Sequence, residues 1–483
     1  MRLAMTIAAL TISAAATPVT AGPVQSTGVT GGDASFSNYQ PVLALTDVFD
    51  RNGIYPAFSV GGLTDAAIYY PIGMVRQFAG GFSPGGQADG QHYSAVSNAA
   101  AYMIIGTHYG SYGLGDFAVP DLRGATIVGA RSPDGQGAVA NYQVGAAAGA
   151  ATTTLSVAQL PPHIHSLPGG GTTSVVGESA PVNHAEPSLT MTWLIATGGY
   201  YPSPGVTVQV GTLRAFAGDQ IPQGWRPADG SLVSTTDAPC LAGIIGTTFG
   251  GDGVTTVGLP DLRGRTIVGV GTGNGLTPVT LGATFGSDAP TILTLANLPA
   301  HDHSLPMGTT GSVGGSDVPI DMRQPSLGLN YIIDVSDGAF PSRDVGLNPE
   351  INYLGEVVAY AGTVAPTGWA FADGSLVNLN QHTALFSLLG TYYGGDGRTT
   401  FALPDLRGRA IIGTSYTYRS GLQAGDQLGA EAVTLAVANL PSHFHTYDPD
   451  AVPEPASWAL FIAGFGFVGA MGRRARGSNV VAR

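Results

Sequence analysis

The sequence predicts a β-dominated α+β fold built from three tandem modules. Three observations predict it. A Pro-Asp-Leu-Arg-Gly string occurs at Pro120–Gly124, Pro260–Gly264 and Pro404–Gly408, with offsets of 140 and 144 residues. A Leu-Pro-x-His-x-His segment follows each string, giving His163/His165, His301/His303 and His443/His445. The chain also carries 72 Gly and 33 Pro, which interrupt short apolar runs and favour turns and strands over long helices.

Each copy reads in the same order. A strand-like opening (Gly73–Phe78, Gly211–Phe216, Gly355–Tyr360) leads to Ala-Gly, a Pro/Gly loop and Ala-Asp-Gly. One short helix follows, at Leu385 to Leu389 in copy three, then a Gly turn and the Asp-Leu-Arg segment. Apolar runs such as Thr266-Ile-Val268 and Ala410-Ile-Ile412 come next and suit buried strands. Trp225 and Trp369 stand at equivalent places and are expected in the core.

Composition bounds the function. Apolar residues make up 44% of 483, enough for packed cores, whereas charged residues make up only 11%. All 19 basic residues are arginine, against 32 acids. Five of those arginines and one acid, Glu454, lie in the terminal segments, which leaves 14 basic and 31 acidic residues and a net charge of −17. A body this acidic repels phosphate backbones, so nucleic acid is not an expected partner. The single Cys240 excludes an intramolecular disulfide framework and is expected to be a small buried hydrophobe.

Both ends read as addresses. Arg2, the apolar run Leu3–Ala16 and small residues for cleavage at Val19-Thr-Ala21 or Ala14-Ala-Ala16 fit a signal peptide over 1–21. Near the other end stands Pro453-Glu454-Pro455-Ala-Ser-Trp458. An uncharged run over 458–472 follows, 15 residues long and somewhat short of a full span, and then Arg473, Arg474 and Arg476. In motif, order and position this resembles the PEP-CTERM sorting signal of Gram-negative bacteria. That resemblance implies an exosortase-type partner, export through the inner membrane, transient membrane anchoring and a place at the cell surface or in the extracellular matrix.

Copy three is the fullest repeat. Its Gly368-Trp369, Ala372-Asp-Gly374, Tyr393-Gly-Gly-Asp-Gly397 and Phe401-Ala-Leu-Pro-Asp-Leu-Arg-Gly-Arg409 resemble the tail-collar domain of phage short tail fibres. Copy one departs most, with Gly113-Leu-Gly-Asp116 in place of Gly-Gly-Asp-Gly. The expected organisation is an N-terminal segment over 22–70, copies at 71–205, 209–345 and 353–448, and a sorting segment over 449–483. Copies one and two continue past their histidines with Glu186-Pro-Ser-Leu and Gln324-Pro-Ser-Leu, whereas copy three runs into the sorting signal. A similar Gln40-Pro-Val-Leu stands before copy one, so residues 40–56 are expected to supply the strand that copy three lacks.

A His-x-His pair on an extended segment puts both imidazoles on one face. In the short tail fibres that the repeats resemble, such pairs from three chains gather round one metal on a threefold axis. The resemblance therefore implies an intramolecular pseudo-trimer. In it His163, His165, His301, His303, His443 and His445 form one six-nitrogen site for Fe(II), Ni(II), Co(II) or Zn(II).

Other motifs are set aside. Asp121/Arg123, Asp261/Arg263 and Asp405/Arg407 are expected to fix turns, and the Gly-Gly-Asp-Gly strings lack the ligands of a calcium loop. Gly81-Phe-Ser-Pro-Gly85 falls in a Pro/Gly loop unsuited to a nucleophile elbow. The expected protein is a non-enzymatic surface or matrix protein. Its Tyr-rich loops, such as Gly198–Tyr201 and Thr391–Tyr393, would bind exopolysaccharide or another envelope component. A phage-derived tail-fibre part is the alternative.

Overall fold

The computed structural model describes residues 24–53, 55, 70–80, 86–130, 142–198, 209–218, 221–287, 289–335, 339–341, 351–414 and 421–449. The expected signal peptide, the Pro453–Arg476 motif, Gly81–Gly85 and the loop beyond Gly198 lie outside them. Among the described residues no helix is long and apolar enough to cross a membrane.

Twelve elements carry the architecture. They are β1 (Val42–Phe49), β2 (Val75–Phe78), α1 (Ala99–Ile105), β3 (Thr126–Gly129), β4 (Ser188–Ala196) and β5 (Thr212–Phe216). Copies two and three add α2 (Pro239–Ile245), β6 (Thr266–Gly269), β7 (Ser326–Asp334), β8 (Glu356–Tyr360), α3 (Thr383–Leu389) and β9 (Ala410–Gly413).

Three long strands, β1, β4 and β7, organise the sheet. Each is buried along nearly its whole length, so it reads as a near-continuous apolar run rather than an alternation. The first half of β4 lies parallel to β3, and its second half lies antiparallel to β5. β7 treats β6 and β8 in the same way. β1 lies parallel to β9, with Val42 opposite Ala410, and antiparallel to β2. Each long strand thus joins the late strand of one copy to the opening strand of the next. β1 makes the join between copy three and copy one. The opening strands also meet one another: β5 pairs with β8, β8 pairs with β2, and Met74 bridges Phe216.

Where copies abut, backbones come very close. Parallel bridges link Gly129 to Arg263, Gly269 to Arg407 and Gly413 to Arg123. A Cβ added at Gly129, Gly269 or Gly413 would stand 1.9, 2.0 or 2.1 Å from the carbonyl oxygen of Leu262, Leu406 or Leu122. Tyrosines tie the same joints: Tyr109 donates to the Ala217 carbonyl and Tyr393 to that of Ala79. Tyr393 is therefore a joint residue, which corrects its expected role in a display loop. Its neighbour Tyr392 is exposed.

A buried charge cluster lies between the opening strands. Glu356 of β8 accepts from Arg76 of β2 and forms a 2.7 Å ion pair with Arg214 of β5. The two guanidiniums lie 4.5 and 4.4 Å from the Tyr70 ring centre. Burial raises the Glu356 carboxyl, but Arg214 and Arg76 outweigh it and hold it below its ordinary range.

The smaller expectations divide. Trp225 and Trp369 are in the core. Each Arg of the Asp-Leu-Arg turns donates to its own Asp, at 2.7 Å for Arg123 to Asp121. Asp252 and Asp396 cap their loops by accepting from three backbone amides each. Cys240 is only partly buried, because α2 turns it to the edge of the core while Leu241 and Ile245 point in.

Two predictions follow from these joints and from one buried acid. Ala at position 129, 269 or 413 should cost about 2–4 kcal/mol in denaturant unfolding, because the clash is with backbone. Gly243→Ala, in α2 with nothing near its added Cβ, should be neutral or slightly stabilising. Asp47, in β1, accepts from Gln77 Nε2 at 3.1 Å, and burial raises its carboxyl to about 7. An acid raised in the folded state stabilises below its unfolded value of about 4, and the effect is lost as pH rises through 7. Unfolding midpoints should fall between pH 4 and pH 7, and Asp47→Asn should flatten that slope by up to about 4 kcal/mol.

Candidate metal centre

The histidine segments are brought together in layers. A short 3-10 turn precedes each one: Val157–Gln159, Leu295–Asn297 and Val437–Asn439. Leu160, Leu298 and Leu440, which end these turns, are fully buried and pack as one apolar cluster. A proline then keeps each backbone extended, and the histidines come next. They sit in isolated bridges and irregular extended chain rather than in regular strands. The alternation still holds: all six imidazoles are buried, while Ile164, Asp302 and Phe444 between them are exposed.

The rings form two stacked triangles. Ring centres of His163, His301 and His443 are 5.2 to 5.4 Å apart, and those of His165, His303 and His445 are 4.8 Å apart. Potential ligand nitrogens fall into four overlapping sets of three, each within 4.8 Å, and together the sets include all six residues. Around an ion with bonds of about 2.1 Å, an octahedron needs neighbouring nitrogens at about 3.0 Å and opposite ones at about 4.2 Å. His163 Nε2 and His301 Nε2 are 3.3 Å apart.

Every Nδ1 faces a carbonyl oxygen. In the first triangle it is the carbonyl two residues back: Pro161 at 3.0 Å, Pro299 at 3.1 Å and Pro441 at 2.9 Å. In the second it belongs to another part of the chain: Gly311 at 2.8 Å for His165, Gly28 at 2.9 Å for His303 and Ser174 at 2.7 Å for His445. A carbonyl can only accept, so each Nδ1 carries the proton and each Nε2 presents its lone pair inward. The Nε2 atoms of His165, His303, His443 and His445 are buried without a hydrogen-bond partner. Burial, reinforced by neighbouring imidazoles, pushes His301, His303 and His445 down to about 4 and also lowers His163 and His443. Rings anchored outward through Nδ1–H, with orphaned inner nitrogens, are what a transition-metal ion requires. The buried six-histidine cluster can hold a metal ion.

The carbonyl of Gly28 exposes a feature that the sequence reading missed. Residues 25–37, ahead of the expected strand, complete the histidine segment of copy three. Gln25 and Ser26 pair with Tyr447 and Thr446, and Thr30 bridges His443. Thr27 Oγ1 accepts from the His445 amide, as Thr173 does for His165 and Thr310 for His303. Phe36 packs with Val182 and Ile320 of the other two copies. The spacing Thr27…Gly31…Phe36, matched by Thr173…Gly177…Val182, was the available signal. The sorting residues Pro453, Glu454, Pro455, Trp458, Arg473, Arg474 and Arg476 lie outside the described residues.

The Phage Tail Collar Domain matches residues 73–127, 211–267 and 355–411, and the PEP-CTERM protein-sorting motif matches residues 451–476. The protein carries three phage tail collar domains and a C-terminal exosortase sorting motif. It is thereby marked for export and sorting at the surface of a Gram-negative cell. The short tail fiber protein gp12 of Enterobacteria phage T4 is 38% identical over 90 residues, which is 17% of this chain and 17% of that protein. No solved structure matches the chain. Each collar match ends before its histidine pair, so the six-histidine cluster lies beyond the matched spans.

Proposed function

We propose that the chain is a non-enzymatic surface scaffold, an intramolecular pseudo-trimer locked by one transition-metal ion. The observation that carries this reading is the convergence of six buried imidazoles, two from each copy, with their Nε2 atoms inward. His163, His165, His301, His303, His443 and His445 would hold the ion, with Fe(II), Ni(II), Co(II) or Zn(II) suited to six nitrogens. When bound, the ion supplies coordinate bonds that cross-link the three copies. The six carbonyl acceptors fix the tautomers that leave Nε2 free to bind it. Metal analysis after refolding with Fe(II) or Zn(II) should give close to one ion per chain and a raised thermal midpoint. Less than one-third of an ion per chain would overturn the site.

The scaffold would display loops toward exopolysaccharide or another envelope component. Copy one favours this role, because Tyr112 and Leu114 are almost fully exposed in a loop capped by Asp116, where the other copies have Gly-Gly-Asp-Gly. Tyr112 also stacks on His92 at 3.7 Å and offers its free face outward. The full chain should sediment with the host's own exopolysaccharide without depolymerising it, and Tyr112→Ala should weaken binding several-fold. Release of shortened polysaccharide would refute the non-enzymatic reading. The identity to the phage fiber protein favours a second reading as a tail-fibre part. Finding the chain in purified virions and not in envelope fractions would establish that reading instead.

A further inference from the structure

We infer that the stem formed by the three histidine segments and their return arms ends in a docking surface for the lipid bilayer. The inference rests on the reading of residues 458–472 as membrane-entering, and it adds where the folded body sits relative to that membrane.

Topology locates the tip. Beyond its histidines, copy one turns back tightly, with Leu167 N donating to the Gly171 carbonyl. Copy two does the same, with Ser304 opposite Thr309 and Leu305 opposite Gly308. At the third place there is no turn. Its two arms are Thr446–Tyr447 and Gln25–Ser26, which come from distant parts of the chain. The chain that leaves Tyr447 therefore departs from the stem tip, and the sorting motif begins only four residues later, at residue 451. The 11 residues from Tyr447 to Trp458 reach at most about 40 Å even when fully extended. The tip is the part of the body tethered closest to the apolar run.

Chemistry of the tip fits that neighbour. In a chain of formal charge −13, residues 24–32, 160–177, 303–315 and 440–447 contain no acid and no arginine. Asp33, Glu178 and Asp448 border these stretches, and Asp302 stands exposed in copy two where the other copies have Ile164 and Phe444. Six exposed apolar side chains lie there: Met307 at 92% exposure, Val24 at 67%, Val29 at 65%, Val175 at 63%, Phe444 at 51% and Ile164 at 41%. An uncharged apolar rim of this kind costs solubility in water, but it can sit about 5–10 Å into the headgroup–acyl boundary. With no basic residue in these stretches, docking does not depend on anionic lipid.

The test uses the full chain in phosphatidylcholine vesicles, with Cys240→Ser removing the native thiol. A nitroxide is attached after Met307→Cys at the tip or Leu114→Cys on the copy-one loop. On vesicle binding, collision with oxygen should rise and collision with a water-soluble nickel chelate should fall several-fold at position 307, with neither changing at 114. A chain that co-floats with vesicles while position 307 stays open to the nickel chelate refutes tip docking alone. A chain that does not co-float refutes both the docking and the membrane reading of 458–472. Loss of both collision rates at 307 would mean cover by a second copy of the chain, and it also overturns the proposal.

Discussion

The parallel pairing of Val42–Leu45 with Ala410–Gly413 is the contact on which the rest depends. Chain connectivity enforces the other two joins between copies, because β4 and β7 lead directly into the next copy's opening strand. The third must be made by association. Without it the edge of β9 is open, copy three lacks the return arm of its stem, and His303 loses the Gly28 carbonyl that orients it. One closure thus supports the sheet, the stem and the six-histidine cluster together.

Having three copies in one chain frees the central positions from identity. A homotrimer would place the same side chain three times round its axis. Here the equivalent positions 76, 214 and 358 hold Arg, Arg and Val, and Glu356 answers both arginines. Positions 40, 186 and 324 hold Gln, Glu and Gln; Gln40 donates to Glu186 through its side chain at 2.9 Å and its backbone at 3.2 Å. Burial raises the Glu186 carboxyl to about 7 against these donors. Asp47, Trp193 and Tyr331 share another equivalent place. Such hydrogen-bonded asymmetry favours one order of copies over any other, a specificity that three identical cores would lack.

Much of this was legible because tight turns need particular residues. Asp-Leu-Arg-Gly turns and His-x-His pairs repeat in sequence since each copy solves the same local problem. Residues 25–37 were not legible in the same way. Their contribution lies in backbone hydrogen bonds and in single small residues such as Thr27, which leave no apolar period to detect. The charge cluster was hidden for a different reason: Arg76, Arg214 and Glu356 are far apart in sequence, and Glu356 stands two residues before the position that the two arginines share in their copies. The inward use of Tyr393 depended on packing between copies, which no single repeat encodes.

Placing the seam at the stem tip also sets an order in time. The closing contacts span almost the whole chain: Thr27 and His445 are 418 residues apart. Contacts of such separation form late and slowly, because a long loop must close before they give anything back. A chain threaded through a membrane from its N-terminus delivers Thr27 early and its partner near the end. The first arm must wait, unpaired, until copy three has emerged. The sorting motif follows a few residues behind that partner, so completion of the fold and arrival of the sorting signal become nearly one event.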